Sequence, residues 1–217
     1  MTSNKSTIAS KRTLHLATEY LKTVDPIIGS VIKGVGQPTI SPHSNYYQEL
    51  VESIVSQQLS VKAADTILKR FLGLFPGDQF PAPELILGKA AEELRAVGLS
   101  WQKAGYIQDL ALKIIEGTVK FDHLDMLSND EIIAELTKVK GVGVWTVHMF
   151  LIFCMGRMDV LPVGDLGIKN GIQKLYDLDA TPTPEVIQNI AVAGNWHPYE
   201  SIASWYVWRS LGNKPGL

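Results

Sequence analysis

The sequence predicts an all-α, two-lobed helical protein, and three observations carry the prediction. Apolar residues recur at helical rather than alternating spacing in nearly every segment. Ser, Thr and Asp stand where helices would begin, and Gly or Pro where they would end. Strand candidates are few, and the best of them, residues 158–163, carries a proline and adjoins a glycine, which favours a loop.

The helices follow in order. Leu14, Ala17, Leu21 and Val24 mark the first, ended by Asp25-Pro26. A short second one covers residues 27–32, before Gly34 and Gly36. Tyr47, Leu50, Val51, Ile54 and Val55 trace the apolar face of the third, and Gln57-Gln58-Leu59 follow it. Ser60 is an N-cap for a fourth, whose stripe is Ala64, Ile67, Leu68, Phe71 and Phe75, stopped by Pro76-Gly77. Ser100 caps a helix carrying Ala104, Ile107, Leu110, Ala111 and Ile114, with Gly117 at its end. Ser128-x-x-Glu131 is a capping box that opens a helix running through Leu136. Thr183-Pro184 starts another, and Pro198 begins the last, which runs through Trp208. About ten helices are expected in all. The central block, 46–156, forms one lobe, and the N-terminal helices, 1–45, pair with the C-terminal segment, 157–217, in the other.

The 217 residues suffice for one substantial domain or two small lobes. A content of 46% hydrophobic and 19% charged residues excludes disorder. The one cysteine, Cys154, sits within Phe150-Leu-Ile-Phe-Cys-Met155, so neither a disulfide framework nor a four-cysteine cluster can form within the chain. The start, MTSNKSTIASKR, lacks the apolar core of a signal peptide, and the longest apolar run, 149–155, is too short to span a bilayer. An intracellular monomer is expected, in the cytoplasm or nucleoid, or in the nucleus of a eukaryote. His15, His43, His123, His148 and His197 show no metal-ligand spacing. The net charge of −2 argues against a non-specific DNA coat. It does not exclude an enzyme that grips a few phosphates through local positive charge and backbone amides.

The most informative stretch is Leu136-Thr-Lys-Val-Lys-Gly-Val-Gly-Val-Trp-Thr-Val-His148. A capped helix ends at Lys140-Gly141-Val142-Gly143, and an apolar helix resumes at once. Two glycines one residue apart permit a tight turn and leave amides uncovered at a helix N-terminus, which suits a phosphate. Lys138 and Lys140 add charge. A plain αα-corner would use the same residues.

In this order the motifs resemble the helix-hairpin-helix DNA glycosylase superfamily. Val139-Lys-Gly-Val-Gly-Val-Trp-Thr is similar to its hairpin, and Leu161-Pro-Val-Gly-Asp-Leu-Gly-Ile-Lys169 to the Gly/Pro loop with an aspartate that follows. Ser56-Gln-Gln-Leu-Ser-Val61 resembles the segment that enters DNA beside a flipped nucleotide. Ser201-Ile-Ala-Ser-Trp-Tyr-Val-Trp208 resembles the C-terminal helix of the 3-methyladenine DNA glycosylase II type. The similarity spans most of residues 25–211. It implies a monofunctional enzyme that flips alkylated purines out of double-stranded DNA and hydrolyses their glycosidic bond, initiating base excision repair. Trp145 stands where bifunctional relatives carry the lyase lysine, and the single cysteine leaves no room for their iron–sulfur cluster. The length fits a compact form without the N-terminal β-domain of the bacterial enzyme.

On this resemblance Asp165 is the catalytic carboxylate, stabilising positive charge on the sugar as the base departs. By itself the residue reads as a helix cap for the segment from Leu166, and the two roles can coexist. Gln58 and Leu59 are wedge candidates for the space left by the flipped nucleotide, either one entering the stack. Trp145, Trp208 and Met149 line the base pocket, Met149 replacing a tyrosine of the relative. An indole face attracts a cationic alkylated base. Trp101, Trp196 and Trp205 are read as packing. Lys140, Gly141, Val142 and Gly143 contact DNA. No cofactor is required, but main-chain carbonyls of Thr137, Val139 and Val142 are implied to hold a Na+ or K+ ion. The competing readings are a non-catalytic DNA-binding module and a bifunctional oxidised-base glycosylase/lyase.

Overall fold

The computed structural model describes residues 8–212; residues 1–7 of the polar N-terminal stretch lie outside them. Twelve α-helices occur among the described residues. Residues 158–163 are a loop, and the only β feature among the described residues is an isolated antiparallel bridge between Ile8 and Arg157.

The chain divides into two units, Asn45–Val147 and Met1–Ser44 with His148–Leu217. Residues 148–156, expected in the central block, fall in the second of these. Their backbone is hydrogen-bonded to N-terminal residues: His43 N donates to Cys154 O at 2.9 Å, and Ala9 N to Gly156 O at 2.7 Å.

The unit Asn45–Val147 contains α3 (Tyr46–Ser56), α4 (Val61–Leu72), α5 (Pro83–Leu87), α6 (Ala91–Ala96), α7 (Trp101–Ile115), α8 (Asn129–Leu136) and the start of α9 (Val144–Met149). Side chains cap α4, α7 and α8 as their sequences require. Ser60 Oγ accepts from Ala63 N, Ser100 Oγ from Lys103 N, and Ser128 and Glu131 exchange bonds reciprocally. α4 stops at Leu72, yet Phe75 stays buried, its ring edge-on to Phe71 at 5.2 Å. Periodicity misses α5 and α6 because five and six residues make under two turns.

The other unit begins with α1 (Lys11–Val24) and α2 (Pro26–Val35), which extends beyond the expected 27–32. Asp25 joins them and is itself buried. Its Oδ1 accepts Ile27 N at 2.8 Å and Ile28 N at 3.1 Å, and its Oδ2 accepts Tyr176 Oη at 2.6 Å and Trp196 Nε1 at 2.8 Å. Four donors offset the loss of water around that carboxylate. A π-helical segment, Phe150–Cys154, continues α9, followed by α10 (Leu166–Leu175), α11 (Pro184–Ala193) and α12 (Glu200–Ser210). α12 begins after Pro198 rather than at it, because residues 196–199 form a turn in which Tyr199 N donates to Trp196 O at 2.6 Å. All residues from Ser201 to Trp208 are buried, so α12 is the central helix of its unit, packed on α1, α2 and α10.

Candidate functional site

In the Asn45–Val147 unit the hairpin runs from Thr137, the C-cap of α8, to Val144. Gly141 has φ +78°, and a Cβ there would lie 2.1 Å from Cδ2 of Tyr106, so both backbone and space demand glycine. Gly143 faces open space, where a Cβ would meet nothing within 4 Å. The amides are less open than the sequence implies. Lys140 N donates to Asp109 Oδ2 at 2.9 Å, and Val142 N to Val139 O at 3.1 Å. Lys140 Nζ lies 3.6 Å from Asp109 Oδ1 with its side chain 76% exposed, so part of its positive potential is answered within the protein. Val139 O, one of the three expected cation-binding carbonyls, has a second lone pair beyond the one that accepts Val142 N.

The segment expected to enter DNA, 56–61, follows the body of α3. Gln57 is the C-cap, Gln58 adopts φ +56° with its side chain exposed, and Leu59 is 39% exposed. Leu59 N donates to Ser56 O at 3.0 Å, closing the turn. Gln57 Nε2 donates to Gly141 O at 3.1 Å, tying this turn to the hairpin. Lys103 Nζ donates to Val55 O at 2.8 Å and Gln57 O at 2.6 Å. Gln57 was read from the sequence only as part of the segment 56–61, and Lys103, Tyr106 and Asp109 were not singled out. The one signal of these three is their three-residue spacing on α7.

In the other unit Asp165 is the N-cap of α10, its Oδ1 accepting Ile168 N at 2.8 Å. The same oxygen accepts Trp208 Nε1 at 2.8 Å. Glycines allow this approach: a Cβ on Gly171 would lie 2.4 Å from Val207 Cγ1, and one on Gly167 2.9 Å from Trp208 Cδ1. α10 thus turns a glycine face to α12. The Trp208 ring also meets Phe153 at 5.8 Å between centroids. It is only 6% exposed, and its N–H is given to Asp165.

Of the other residues expected to line a base pocket, Met149 is buried and Trp145 is 50% exposed. Phe150–Cys154, after Met149, is entirely buried, and π-helical insertions frequently accompany functional sites. Trp196 and Trp205 are buried, as packing requires, but Trp101 is 56% exposed, with the Arg95 guanidinium 5.0 Å from its ring centroid. It begins α7 at the surface rather than in the core. Among the described residues no three His, Cys, Asp or Glu side chains group as a metal site, and no helix is long and apolar enough to cross a membrane.

A family model described as HhH-GPD superfamily base excision DNA repair protein matches residues 51–194. The chain is 39% identical over 166 residues to DNA-3-methyladenine glycosylase 1 of Schizosaccharomyces pombe, covering 76% of this chain and 72% of that protein. Among solved structures, the S. pombe 3-methyladenine DNA glycosylase (Mag1) in complex with abasic DNA matches with a TM-score of 0.78 at 35% identity, covering 91% of this chain and 97% of that one. A DNA-3-methyladenine glycosidase from Bacillus halodurans matches with a TM-score of 0.80 at 34% identity, covering 91% and 89%.

Proposed function

The chain belongs to the HhH-GPD superfamily of base excision DNA repair proteins, and from that premise we propose that it is a monofunctional DNA-3-methyladenine glycosylase. It flips alkylated purines such as 3-methyladenine and 7-methylguanine out of double-stranded DNA and hydrolyses their N-glycosidic bond. The observation that carries the reading is the Asp165 carboxylate, held at the start of α10 by the Ile168 amide and the Trp208 indole.

As the base leaves, positive charge develops on the sugar, and a fixed carboxylate stabilises it without having to reorganise. Alkylation already makes the base a cation and a good leaving group, so the protein needs no strong acid beside it. The half-exposed indole of Trp145 attracts such a base. With a tryptophan at the position of the lyase lysine, no Schiff base forms there.

Two of the four hairpin amides are committed inside the protein, so a DNA phosphate would meet those of Gly141 and Gly143 beside the exposed Lys140 ammonium. Gln58 or Leu59, both exposed, fills the space of the flipped nucleotide. The carbonyls of Thr137, Val139 and Val142 are hard oxygen donors near the negative end of α8. They would hold a Na+ or K+ ion that steadies the hairpin. No other cofactor enters the reaction, and the enzyme acts inside the cell as a monomer.

The test is incubation with methylated duplex DNA, identification of the released bases, and a parallel borohydride trap. Release of 3-methyladenine or 7-methylguanine without a trapped adduct is expected. A trapped covalent adduct would make the protein a lyase. Binding without release would make it a non-catalytic DNA-binding module.

A further inference from the structure

Three residues of α7 spaced three apart, Lys103, Tyr106 and Asp109, form one slanting stripe along the helix. Lys103 reaches the wedge turn through Val55 O and Gln57 O. The Tyr106 ring lies against Gly141, and Asp109 accepts the Lys140 amide. One helix therefore braces the turn that carries Gln58 and, one and two turns further along, the hairpin. Gln57 Nε2 joins the two loops directly at Gly141 O.

The wedge turn needs such a brace. α3 ends at Ser56, and the last carbonyls of a helix lack intrahelical donors. Gln58 takes a left-handed φ of +56°, which a residue with a Cβ adopts only when its surroundings hold it. The ammonium at this helix end also complements the negative end of the α3 dipole. Burial pushes the Lys103 ammonium down from the ordinary lysine value, so the contact persists against a desolvation penalty.

We propose that Lys103 is a positioning residue for nucleotide flipping: by bridging the Val55 and Gln57 carbonyls it presets the Gln58–Leu59 turn for entry into the duplex, in register with the hairpin. The proposal rests on the glycosylase reading above. A preset wedge spends no ordering entropy when it enters the stack. A lesion in a single strand has no partner to lose and leaves no stacked vacancy to fill, so its release depends far less on the wedge.

The experiment compares single-turnover release of 7-methylguanine from duplex and from single-stranded DNA by the wild type, Lys103→Met and Gln57→Ala. Lys103→Met keeps an unbranched side chain and removes the charged donors. Its duplex-to-single-strand rate ratio should fall by roughly tenfold, the scale of one lost charged hydrogen bond. Gln57→Ala, which leaves Lys103 in place, should shift the ratio in the same direction by less, and it carries the test if Lys103→Met does not fold. Equal losses on both substrates, or no loss, would overturn the proposal and leave Lys103 a stability residue. Hydrogen exchange of the Leu59 amide needs no catalysis and should accelerate in Lys103→Met. Unchanged exchange there would overturn the brace itself, whereas a wild type that releases no alkylpurine counts against the glycosylase reading alone.

Discussion

The indole Nε1 of Trp208 donates to Oδ1 of Asp165 at 2.8 Å, the same oxygen that accepts the Ile168 amide at 2.8 Å. Two donors from different helices converge on one carboxylate oxygen and fix the plane of the group. The helix cap that the sequence offered as an alternative to catalysis is therefore part of what aims the carboxylate.

Asp165→Asn separates charge from geometry. The amide oxygen can still accept from Ile168 and Trp208, so α10 should remain capped and the protein folded. Loss of the negative charge should slow single-turnover base release by at least about 10²-fold, as for other electrostatic stabilisers. Affinity for an abasic-site analogue should be largely retained. Turnover near that of the wild type would remove Asp165 from the chemistry.

Trp208→Phe keeps a ring in the core and deletes the donor to Asp165. Release should fall by roughly tenfold, the scale of one hydrogen bond to a charged group, on 7-methylguanine and hypoxanthine alike, because the lost contact acts on the carboxylate. Trp145→Leu should instead slow the cationic base selectively, cation–π attraction being worth roughly 0.5–2 kcal/mol. A selective loss in Trp208→Phe would show that its ring faces the base.

The two hairpin glycines should respond differently. Gly143→Glu meets open space, so the protein should keep its melting temperature while affinity for all DNA sequences and lesions drops. Gly141→Ala combines φ +78° with a Cβ 2.1 Å from the Tyr106 ring, and should lower stability by about 1–3 kcal/mol in urea unfolding. A folded Gly143→Glu protein with unchanged DNA affinity would rule out phosphate contact there.

The capping box of α8 makes stability acid-sensitive. The Ser128 hydroxyl and then its amide hold the Glu131 carboxyl below its ordinary value of 4.5. A depressed folded value means the contribution is fully present above 4.5 and lost as pH falls through the folded value below it. Ser128→Ala should cost about 1 kcal/mol at neutral pH and flatten that acid dependence. Urea midpoints measured between about pH 3 and pH 6 test both.

The sequence by itself determined the helices and most of their ends. Ser60, Ser100, Ser128 and Thr183 cap through atoms three residues away, and apolar stripes such as Leu50, Val51, Ile54 and Val55 repeat every turn. These signals are local, so one stretch of chain contains both partners. It also determined the motif order that carries the family, including Asp165 and the two hairpin glycines. Only the tertiary structure decided what holds those residues in place. Trp208 meets Asp165 across 43 positions, Lys103 meets Gln57 O across 46, and Asp109 meets the Lys140 amide across 31. Asp25, legible only as the end of a helix, is a buried hub bonded to Tyr176 and Trp196. Helical periodicity says which face of a helix is buried but not which residue of another helix it meets. That choice follows from close packing, here from the glycine face of α10 against α12 and from Tyr106 against a glycine that admits no Cβ.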